Sequence, residues 1–330
     1  MRILLTRPAY DRFWPEVAEV TDQAVIVEED GGLSGGGGEQ IALDSADVEV
    51  AWGTSDLYHR GAPLRPFFGL LRRAPTLRWF QSPAAGFDDR VFGELAGRGV
   101  RVTNAHVNGI PIAEFVIRSV LDHFQDARAW RRAQAEHRWE THDYREVYGT
   151  TWLVIGLGSI GGGVARRASA FGATVIGCRR HPGDGDPTHR TVAPPELRGV
   201  LGSADVVVLA LPATAATTGL VDAGFLASMK ERSVLVNVAR GALVDEAALL
   251  AALEWGRPEA AVLDVFQREP LPPDHPFWDH PRVTVTAHNA AGGTGRYLRQ
   301  AELFAANLAR YRVGEDLVND VTALILVEQS

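Results

Sequence analysis

Cysteine, lysine and methionine are almost missing from this sequence. The 330 residues include one cysteine, Cys178, and two methionines. Lys230 is the single lysine, so the other basic residues among the 33 are all arginines. One cysteine excludes an intrachain disulfide and a zinc site built on several thiolates. Because arginine is so common here, each arginine needs support from its surroundings before it is assigned a function.

Long apolar runs are missing as well. No stretch approaches the roughly 20 apolar residues of a membrane span. The N-terminal MRILLTRPAY has an apolar run too short for a signal peptide. The formal net charge of −8 argues against binding to nucleic acid or to anionic membranes. We therefore expect a cytoplasmic protein that binds neither nucleic acid nor membranes.

Short apolar runs alternate with helical patterns, which is typical of βαβ units and a parallel sheet. The first series of runs lies at 2–6, 23–27, 47–52 and 77–81, with a glycine cluster at 31–38 that we interpret as a loop. The second series contains six candidate strands that suit a doubly wound dinucleotide-binding sheet. These strands lie at 151–155, 174–178, 205–211, 233–238, 261–265 and 283–286. Between the two series, a helical pattern opens at Pro111 and runs towards Trp130.

The first strand of the second series runs into a G-x-G-x-x-G motif that opens a helix. In such a turn the first glycine permits the tight bend, the second allows close approach of a pyrophosphate, and the third lets helix and strand pack. The helix N-terminus then offers amides and a partial positive charge to the phosphates. We assign this cofactor turn to Gly156, Gly158, Ser159, Ile160 and Gly161.

The residues after the second strand of this series distinguish the two nicotinamide cofactors. An NAD site usually has Asp or Glu there, to bind the ribose 2′-hydroxyl. This chain has Arg179 and Arg180, and no acidic residue before Asp184. Guanidinium groups bind a 2′-phosphate, which a carboxylate would repel. The sequence therefore favours NADP over NAD, with the abundance of arginine as the alternative explanation.

Three polar residues lie just beyond the ends of later strands. Arg240 follows one strand, Glu269 lies in the loop after the next, and His288 follows the last. Ligands of open α/β sheets bind beyond these carboxyl ends. An arginine can bind the carboxylate of a 2-oxo acid, and a histidine oriented by a glutamate can donate a proton to its carbonyl oxygen. The set predicts reduction of a 2-oxo acid, although each residue alone has an ordinary structural explanation.

With these motifs the chain resembles the D-isomer-specific 2-hydroxyacid dehydrogenase family, which includes glyoxylate/hydroxypyruvate reductases. The resemblance rests on GLGSIGGGVARRASAFG at 156, VNVARGALVDEAAL at 236, LDVFQREPLP at 263 and HPFWDHPRVTVTAHNA at 275. It implies that Arg240, Glu269 and His288 are the catalytic residues. It also implies further cofactor contacts, which are Leu211, Pro212, Ala239 and Asp264.

The resemblance also implies an architecture and an assembly. It predicts an α/β fold with a Rossmann doubly wound parallel sheet at 101–294 as the cofactor domain. A smaller flavodoxin-like α/β substrate-binding domain would comprise 1–100 and 295–330. Related enzymes are homodimers through the region near 111–149, which favours an interface there over a helix packed only on its own domain.

The substrate side departs from the family pattern. The expected glycine-rich loop appears as 82–86, where Ala84, Ala85 and Gly86 are the candidate substrate contacts and Pro83 offers no amide. Trp52 is a further candidate, with a core aromatic as the alternative. Ala287 precedes the histidine where proline is usual.

Other readings remain open. Asp274, His275, Asp279 and His280 could suggest a metal, but intervening prolines argue against it and we expect none. We expect reversible reduction of glyoxylate or hydroxypyruvate by NADPH or NADH. Phosphoglycerate dehydrogenase is the alternative enzyme. The alternative of another class is a non-catalytic, NAD(P)-sensing binding protein of the co-repressor type.

Overall fold

The computed structural model describes residues 1–18, 23–42, 46–58, 61–84, 86 and 89–328. The strands, numbered in chain order, are β1 (Ile3–Thr6), β2 (Ala24–Val27), β3 (Leu33–Gly35), β4 (Val50–Trp52), β5 (Trp79–Ser82), β6 (Arg101–Asn104), β7 (Thr151–Ile155), β8 (Thr174–Cys178), β9 (Arg190–Val192), β10 (Val206–Leu209), β11 (Val234–Asn237), β12 (Ala260–Leu263) and β13 (Val283–Val285).

The helices connect consecutive strands for most of the chain. They are α1 (Arg7–Ala18), α2 (Leu64–Arg73), α3 (Arg90–Gly97), α4 (Gly109–Phe124), α5 (Ala127–Ala135), α6 (Ser159–Ala170), α7 (Leu197–Leu201), α8 (Ala223–Ala227), α9 (Glu246–Glu254), α10 (Arg296–Val313) and α11 (Thr322–Glu328). Among the residues described, none of these helices has the length and apolarity needed to cross a bilayer.

The chain divides into two compact units. Unit 1 comprises 1–107 and 294–330, and unit 2 comprises 108–293. The boundary that we expected at 101 is wrong, because it falls at the start of β6. That strand pairs with β5 and so belongs to the sheet of unit 1.

Unit 1 contains a six-stranded sheet in the order β3-β2-β1-β4-β5-β6. Its parallel strands follow the flavodoxin-like order, with β3 added antiparallel on the edge of β2. This strand corrects our interpretation of 31–38 as a loop: Leu33, Ser34 and Gly35 pair in register with Val27, Ile26 and Val25. The predicted flavodoxin-like fold of this part is confirmed.

Unit 2 contains a parallel seven-stranded sheet in the order β13-β12-β11-β10-β7-β8-β9. All six strands predicted for the second series are present, and only the short β9 was missed. Alternate residues of β10 pack on opposite faces. Val206 and Val208 join α4 and α6 in one core, while Val207 and Leu209 join α7, α8 and α9 in the other. Burial on both faces explains the continuous apolar runs and confirms the doubly wound fold.

The helical pattern before β7 forms two helices instead of one. The break falls at Asp126, which is left-handed with φ 45° and whose side chain accepts the amide of Ala129. Ile112, Val116 and Val120 of α4 pack in one core with Val164 and Ala168 of α6. Helix α4 therefore packs on its own unit.

Candidate active site

The glycine turn between β7 and α6 has the form that a dinucleotide site requires. Gly156 has φ 93°, and a side chain there would run into the carbonyl of Ala210. A Cβ at Gly161 would collide with the carbonyl of Gly156, so this glycine keeps α6 close to β7. At Gly158, in contrast, a Cβ would meet no atom within 4 Å beyond its neighbours in the chain. Of the three glycines, Gly158 alone is not required by packing within the protein, and it lies where a pyrophosphate would approach.

The N-terminus of α6 fits an anionic ligand. Gly158 is its extended N-cap residue, and no side chain caps the helix. Ser159 and Ile160 form its first turn, where main-chain amides have no partner within a helix. Leu211 and Pro212 follow the adjacent β10, and the Cα of Leu211 lies within 3 Å of the position that a Cβ of Gly156 would take. These residues can hold a dinucleotide.

The two arginines after β8 have different surroundings. Arg179 forms an ion pair with Asp186, with 2.7 Å between Nη1 and Oδ1. The amide of Gly183, together with Arg179, holds the pKa of the Asp186 carboxyl below its usual range. Arg180 is exposed next to this pair. The charge of Arg179 is thus partly neutralised within the protein.

Arg240, Glu269 and His288 follow the carboxyl ends of three neighbouring strands, β11, β12 and β13. His288 and Glu269 are in contact, with 2.7 Å between Nδ1 and Oε2. The other carboxylate oxygen of Glu269 accepts the amide of Phe266 at 3.0 Å. Both side chains are partly accessible, 49% for His288 and 35% for Glu269. Solvent or a ligand can therefore reach the pair.

Hydrogen bonds to Asn237, the last residue of β11, hold the main chain at Arg240. The buried Asn237 donates from Nδ2 to the carbonyl of Arg240 at 2.9 Å and accepts the amide of Ala239 at 3.0 Å. The guanidinium of Arg240 also donates to the carbonyl of Ala239. A side chain at Gly241 would collide with the main chain of Phe266. This close approach brings the Arg240 segment against the loop that holds Glu269.

Asp264, a predicted site residue of this unit, is buried, with 2% of its surface exposed. Its carboxylate accepts hydrogen bonds from Thr286 and from the amides of Asn289 and Ala290. These partners lie on either side of His288, so Asp264 orders the segment that carries the imidazole. The nicotinamide contact that the resemblance implies for Asp264 stays a prediction. The sequence alone did not identify Thr286 as a partner of Asp264. The available signal was a hydroxyl-bearing residue two positions before the histidine.

His288 itself has a left-handed backbone, with φ 49°. For a residue other than glycine this conformation costs on the order of 1–3 kcal/mol and persists only where the surrounding structure enforces it. The amide of His288 donates to the carbonyl of Asp264 at 2.8 Å.

Among the residues predicted to contact substrate in unit 1, the structure contradicts Trp52, whereas Ala84 and Gly86 stay predictions. Trp52 is fully buried and stacks on Phe304, with ring centroids 4.4 Å apart. A ring without accessible surface cannot line a pocket, so Trp52 is reassigned to the core, the alternative raised from the sequence. The amide of Ala84 already donates to Oγ of Ser82 at 3.1 Å. Gly86 is partly exposed, and Ala85 lies outside the described residues.

The histidines of the loop before β13 contact single carboxylates. His275 lies 3.5 Å from Glu246, and His280 lies 3.5 Å from Glu254. Over the parts of the chain that the structure describes, no three His, Cys, Asp or Glu side chains are grouped to hold a metal ion.

Comparison with known proteins agrees with this geometry. Residues 117–290 match the family model described as D-isomer specific 2-hydroxyacid dehydrogenase, NAD binding domain. The chain is 31% identical over 270 residues to glyoxylate/hydroxypyruvate reductase A of Serratia proteamaculans, an alignment that covers 79% of this chain and 85% of the relative. The chain belongs to the D-isomer-specific 2-hydroxyacid dehydrogenase family, a class of oxidoreductases.

Of two further relatives, one is named for another activity and one for the same activity. D-3-phosphoglycerate dehydrogenase of Mycobacterium tuberculosis is 36% identical over 225 residues, which is 67% of this chain but 42% of the relative. The chain thus spans less than half of that protein. The solved NADPH-dependent glyoxylate/hydroxypyruvate reductase of Sinorhizobium meliloti, in complex with NADP and sulfate, has a TM-score of 0.77 and 26% identity, and covers 98% of this chain and 99% of the other.

Proposed function

We propose that this protein reduces a small 2-oxo acid to the D-2-hydroxy acid with a nicotinamide cofactor, in a reversible reaction. The observation that carries the proposal is the contact between His288 and Glu269 at the carboxyl end of the sheet that also presents Arg240 and the glycine turn. Acid/base, carboxylate-binding and phosphate-binding groups thus share one edge of one sheet.

Each residue has a chemical role in this proposal. With a proton on Nδ1, the imidazole of His288 donates to Glu269, and Nε2 becomes the atom that exchanges a proton with the substrate oxygen. Glu269 fixes the ring and stabilises the positive charge that the ring carries as an acid. Arg240 binds the substrate carboxylate through its planar guanidinium. A bound nicotinamide would supply the hydride to the carbonyl carbon.

We favour glyoxylate or hydroxypyruvate as substrate and NADPH as cofactor. The relatives named for these substrates align over most of their own length, and one was solved with NADP. Arg179 and Arg180 follow β8 where a 2′-phosphate would be read. Phosphoglycerate is the second candidate, supported by the 36% identity to an enzyme of that name.

The test is a panel of 2-oxo acids with NADPH and with NADH, with D-3-phosphoglycerate and either oxidised cofactor as the reverse arm. We expect the highest kcat/KM for glyoxylate or hydroxypyruvate with NADPH. His288→Asn should lower that turnover by roughly 10²–10⁴, which distinguishes it from the activity of a contaminating reductase. Tight cofactor binding without turnover of any acid would instead support the sensing protein.

We further propose that the protein is a homodimer through α5 and the segment 136–149. This region exposes large aromatic side chains, namely Trp130, Trp139, Tyr144 and Tyr148. Trp139 is 98% exposed, which is unusual for so large an apolar surface unless another protein surface covers it. Sedimentation equilibrium should give twice the chain mass, and Trp139→Glu should shift the protein towards monomer. A monomeric native protein would contradict the assembly without affecting the proposed reaction.

A further inference from the structure

Asp264, the residue after β12, forms several hydrogen bonds with the segment that carries His288. The carbonyl of Asp264 accepts the amide of His288 at 2.8 Å. Oδ1 of its buried carboxylate accepts the hydroxyl of Thr286 at 2.6 Å and the amide of Asn289 at 2.8 Å. Oδ2 accepts the amide of Ala290 at 2.9 Å. Every residue from Thr286 to Ala290 except Ala287 thus donates to Asp264.

We call these hydrogen bonds to Asp264 the clamp. The clamp surrounds a residue with a strained backbone, His288. His288 has φ 49°, and side-chain-bearing residues adopt left-handed backbone only where neighbouring contacts enforce it. The donors before and after His288 converge on one carboxylate, so the turn cannot relax without giving up hydrogen bonds to a buried charge. Such bonds are stronger than those between neutral groups. The backbone of His288, and with it the direction of the imidazole, is therefore set by the clamp.

Thr286 is the one donor to the Asp264 carboxylate that acts through its side chain, so a substitution can remove it. Two of the three donors to the carboxylate are main-chain amides, which no ordinary substitution removes. The third is the Thr286 hydroxyl, which also restricts rotation of the carboxylate and so keeps Oδ1 and Oδ2 facing Asn289 and Ala290. Without it, a carboxylate that is 2% exposed loses a partner that water cannot readily replace.

We propose that Thr286 is a positioning residue for the acid/base step: through Asp264 it holds His288 in the left-handed conformation that directs the imidazole towards Glu269. This inference rests on the proposed function. It assigns to Thr286 no contact with substrate or cofactor. Loss of the Thr286 hydroxyl should therefore lower kcat and leave KM nearly unchanged, because misplacement of a reacting group by about 1 Å can cost on the order of 100-fold in rate.

The experiment compares four variants of the full chain with the wild-type protein. Thr286→Val replaces the hydroxyl by a methyl group of similar size, and Thr286→Ser restores the hydroxyl without the methyl. Thr284→Val is the matched control, since Thr284 lies on β13 and its hydroxyl accepts from Arg128 at 3.1 Å instead of contacting Asp264. Thr286→Ala provides a second hydroxyl-free variant if the valine protein does not fold.

Two readouts are measured on each protein. The first is kcat and KM for the best 2-oxo acid of the panel. The second is amide hydrogen exchange over 286–292 in the cofactor-free protein, which reports on the clamp whether or not the protein is an enzyme. We expect Thr286→Val to lower kcat about 10- to 100-fold, with KM within about 3-fold of wild type and faster exchange in this segment. Thr286→Ser should recover most of both, and Thr284→Val should match wild type.

The outcomes separate this inference from the proposed function. Wild-type kcat and exchange in the hydroxyl-free variant would overturn the positioning role while the enzyme remains active. Equal losses in Thr286→Ser and Thr286→Val would also overturn it, because the methyl and not the hydroxyl would then matter. A wild-type protein that reduces no acid of the panel would reject the proposed function, and the exchange measurement would still show whether Thr286 supports the clamp.

Discussion

Nδ1 of His288 lies 2.7 Å from Oε2 of Glu269, and the second oxygen of that carboxylate is held by the amide of Phe266. The loop after β12 thus presents a fixed carboxylate to a residue that follows β13. Two groups distant in the chain by 19 residues form one acid/base unit.

Replacing either member of this unit tests the acid/base assignment. We expect His288→Asn to lower turnover by roughly 10²–10⁴, the usual contribution of a general acid/base. Glu269→Gln should cost less, because the amide can still orient the ring but no longer stabilises its positive charge. Steady-state kinetics with the best 2-oxo acid would measure both. His280→Asn is the control, since His280 also lies near a glutamate, 3.5 Å from Glu254. Rates in His288→Asn equal to those of this control would remove His288 from the mechanism.

Much of this site could be predicted from the sequence because its signals are local. A buried parallel strand is a continuous apolar run, and the residue after it lies at the ligand-binding edge. The placement of Arg240, Glu269 and His288 at this edge therefore follows from the strand ends, whereas their catalytic roles are implied by the family resemblance and stay a prediction. The relation between Asp264 and the His288 segment does not, because it depends on the register between β12 and β13, in which Leu263 pairs with Val285.

The errors have equally local causes. Trp52 lies in β4, whose three residues are all buried, so an aromatic there could not be distinguished from a pocket wall by pattern. Strands β3 and β9 each contain one large apolar residue, so neither shows the apolar run by which β4 and β13, of the same length, were recognised. The boundary at 101 failed because β6 is followed at once by the helical pattern of unit 2.

The glycine turn allows binding to be separated from stability. Gly158→Ala places a methyl group where no protein atom beyond its chain neighbours lies within 4 Å, whereas Gly161→Ala places one against the carbonyl of Gly156. We expect Gly158→Ala to fold with an unchanged Tm but to bind the dinucleotide at least about tenfold more weakly, a loss of ~1.4 kcal/mol. Gly161→Ala should lower the Tm. Calorimetric titration with NADPH and thermal unfolding would measure these effects, and unimpaired binding by Gly158→Ala would show that no phosphate lies over this turn.

The cofactor preference can be assigned to one of two neighbouring arginines. Arg179 is paired with Asp186 at 2.7 Å, so Arg180 should provide most of the charge for a 2′-phosphate. We expect Arg180→Ser to lower the ratio of kcat/KM for NADPH over NADH by about tenfold or more, since a guanidinium–phosphate contact is charge-assisted. Arg179→Ser, the matched control, should change the ratio less. A wild-type preference for NADH above about tenfold would contradict the NADP assignment.

Asp205, at the opposite end of the sheet from the site, links the residues before β7 to β10. Its carboxylate contacts Arg145 at 2.5 Å, Lys230 at 2.7 Å and the amide of Thr151 at 2.8 Å. Burial raises the pKa of Asp205, but the hydrogen bonds from Lys230 and Thr151 and the charge of Arg145 outweigh it and lower the pKa below the ordinary 3.8. Because the folded-state pKa is depressed, the stabilisation is complete above 3.8 and is lost as the pH falls through the folded-state value.

Asp205→Asn should therefore reduce the free energy of unfolding at pH 7 by about 1–3 kcal/mol, since it leaves two cations without their carboxylate. The difference between variant and wild type should shrink as the pH falls below 3.8, where the native carboxyl is protonated as well. Urea unfolding at a series of pH values would measure it. Glu302→Gln, which alters an exposed residue of α10, is the control and should show little difference at any pH. A penalty for Asp205→Asn that stays constant down to pH values where the wild type unfolds would mean that the hydrogen-bond geometry, and not the charge, of Asp205 stabilises this link.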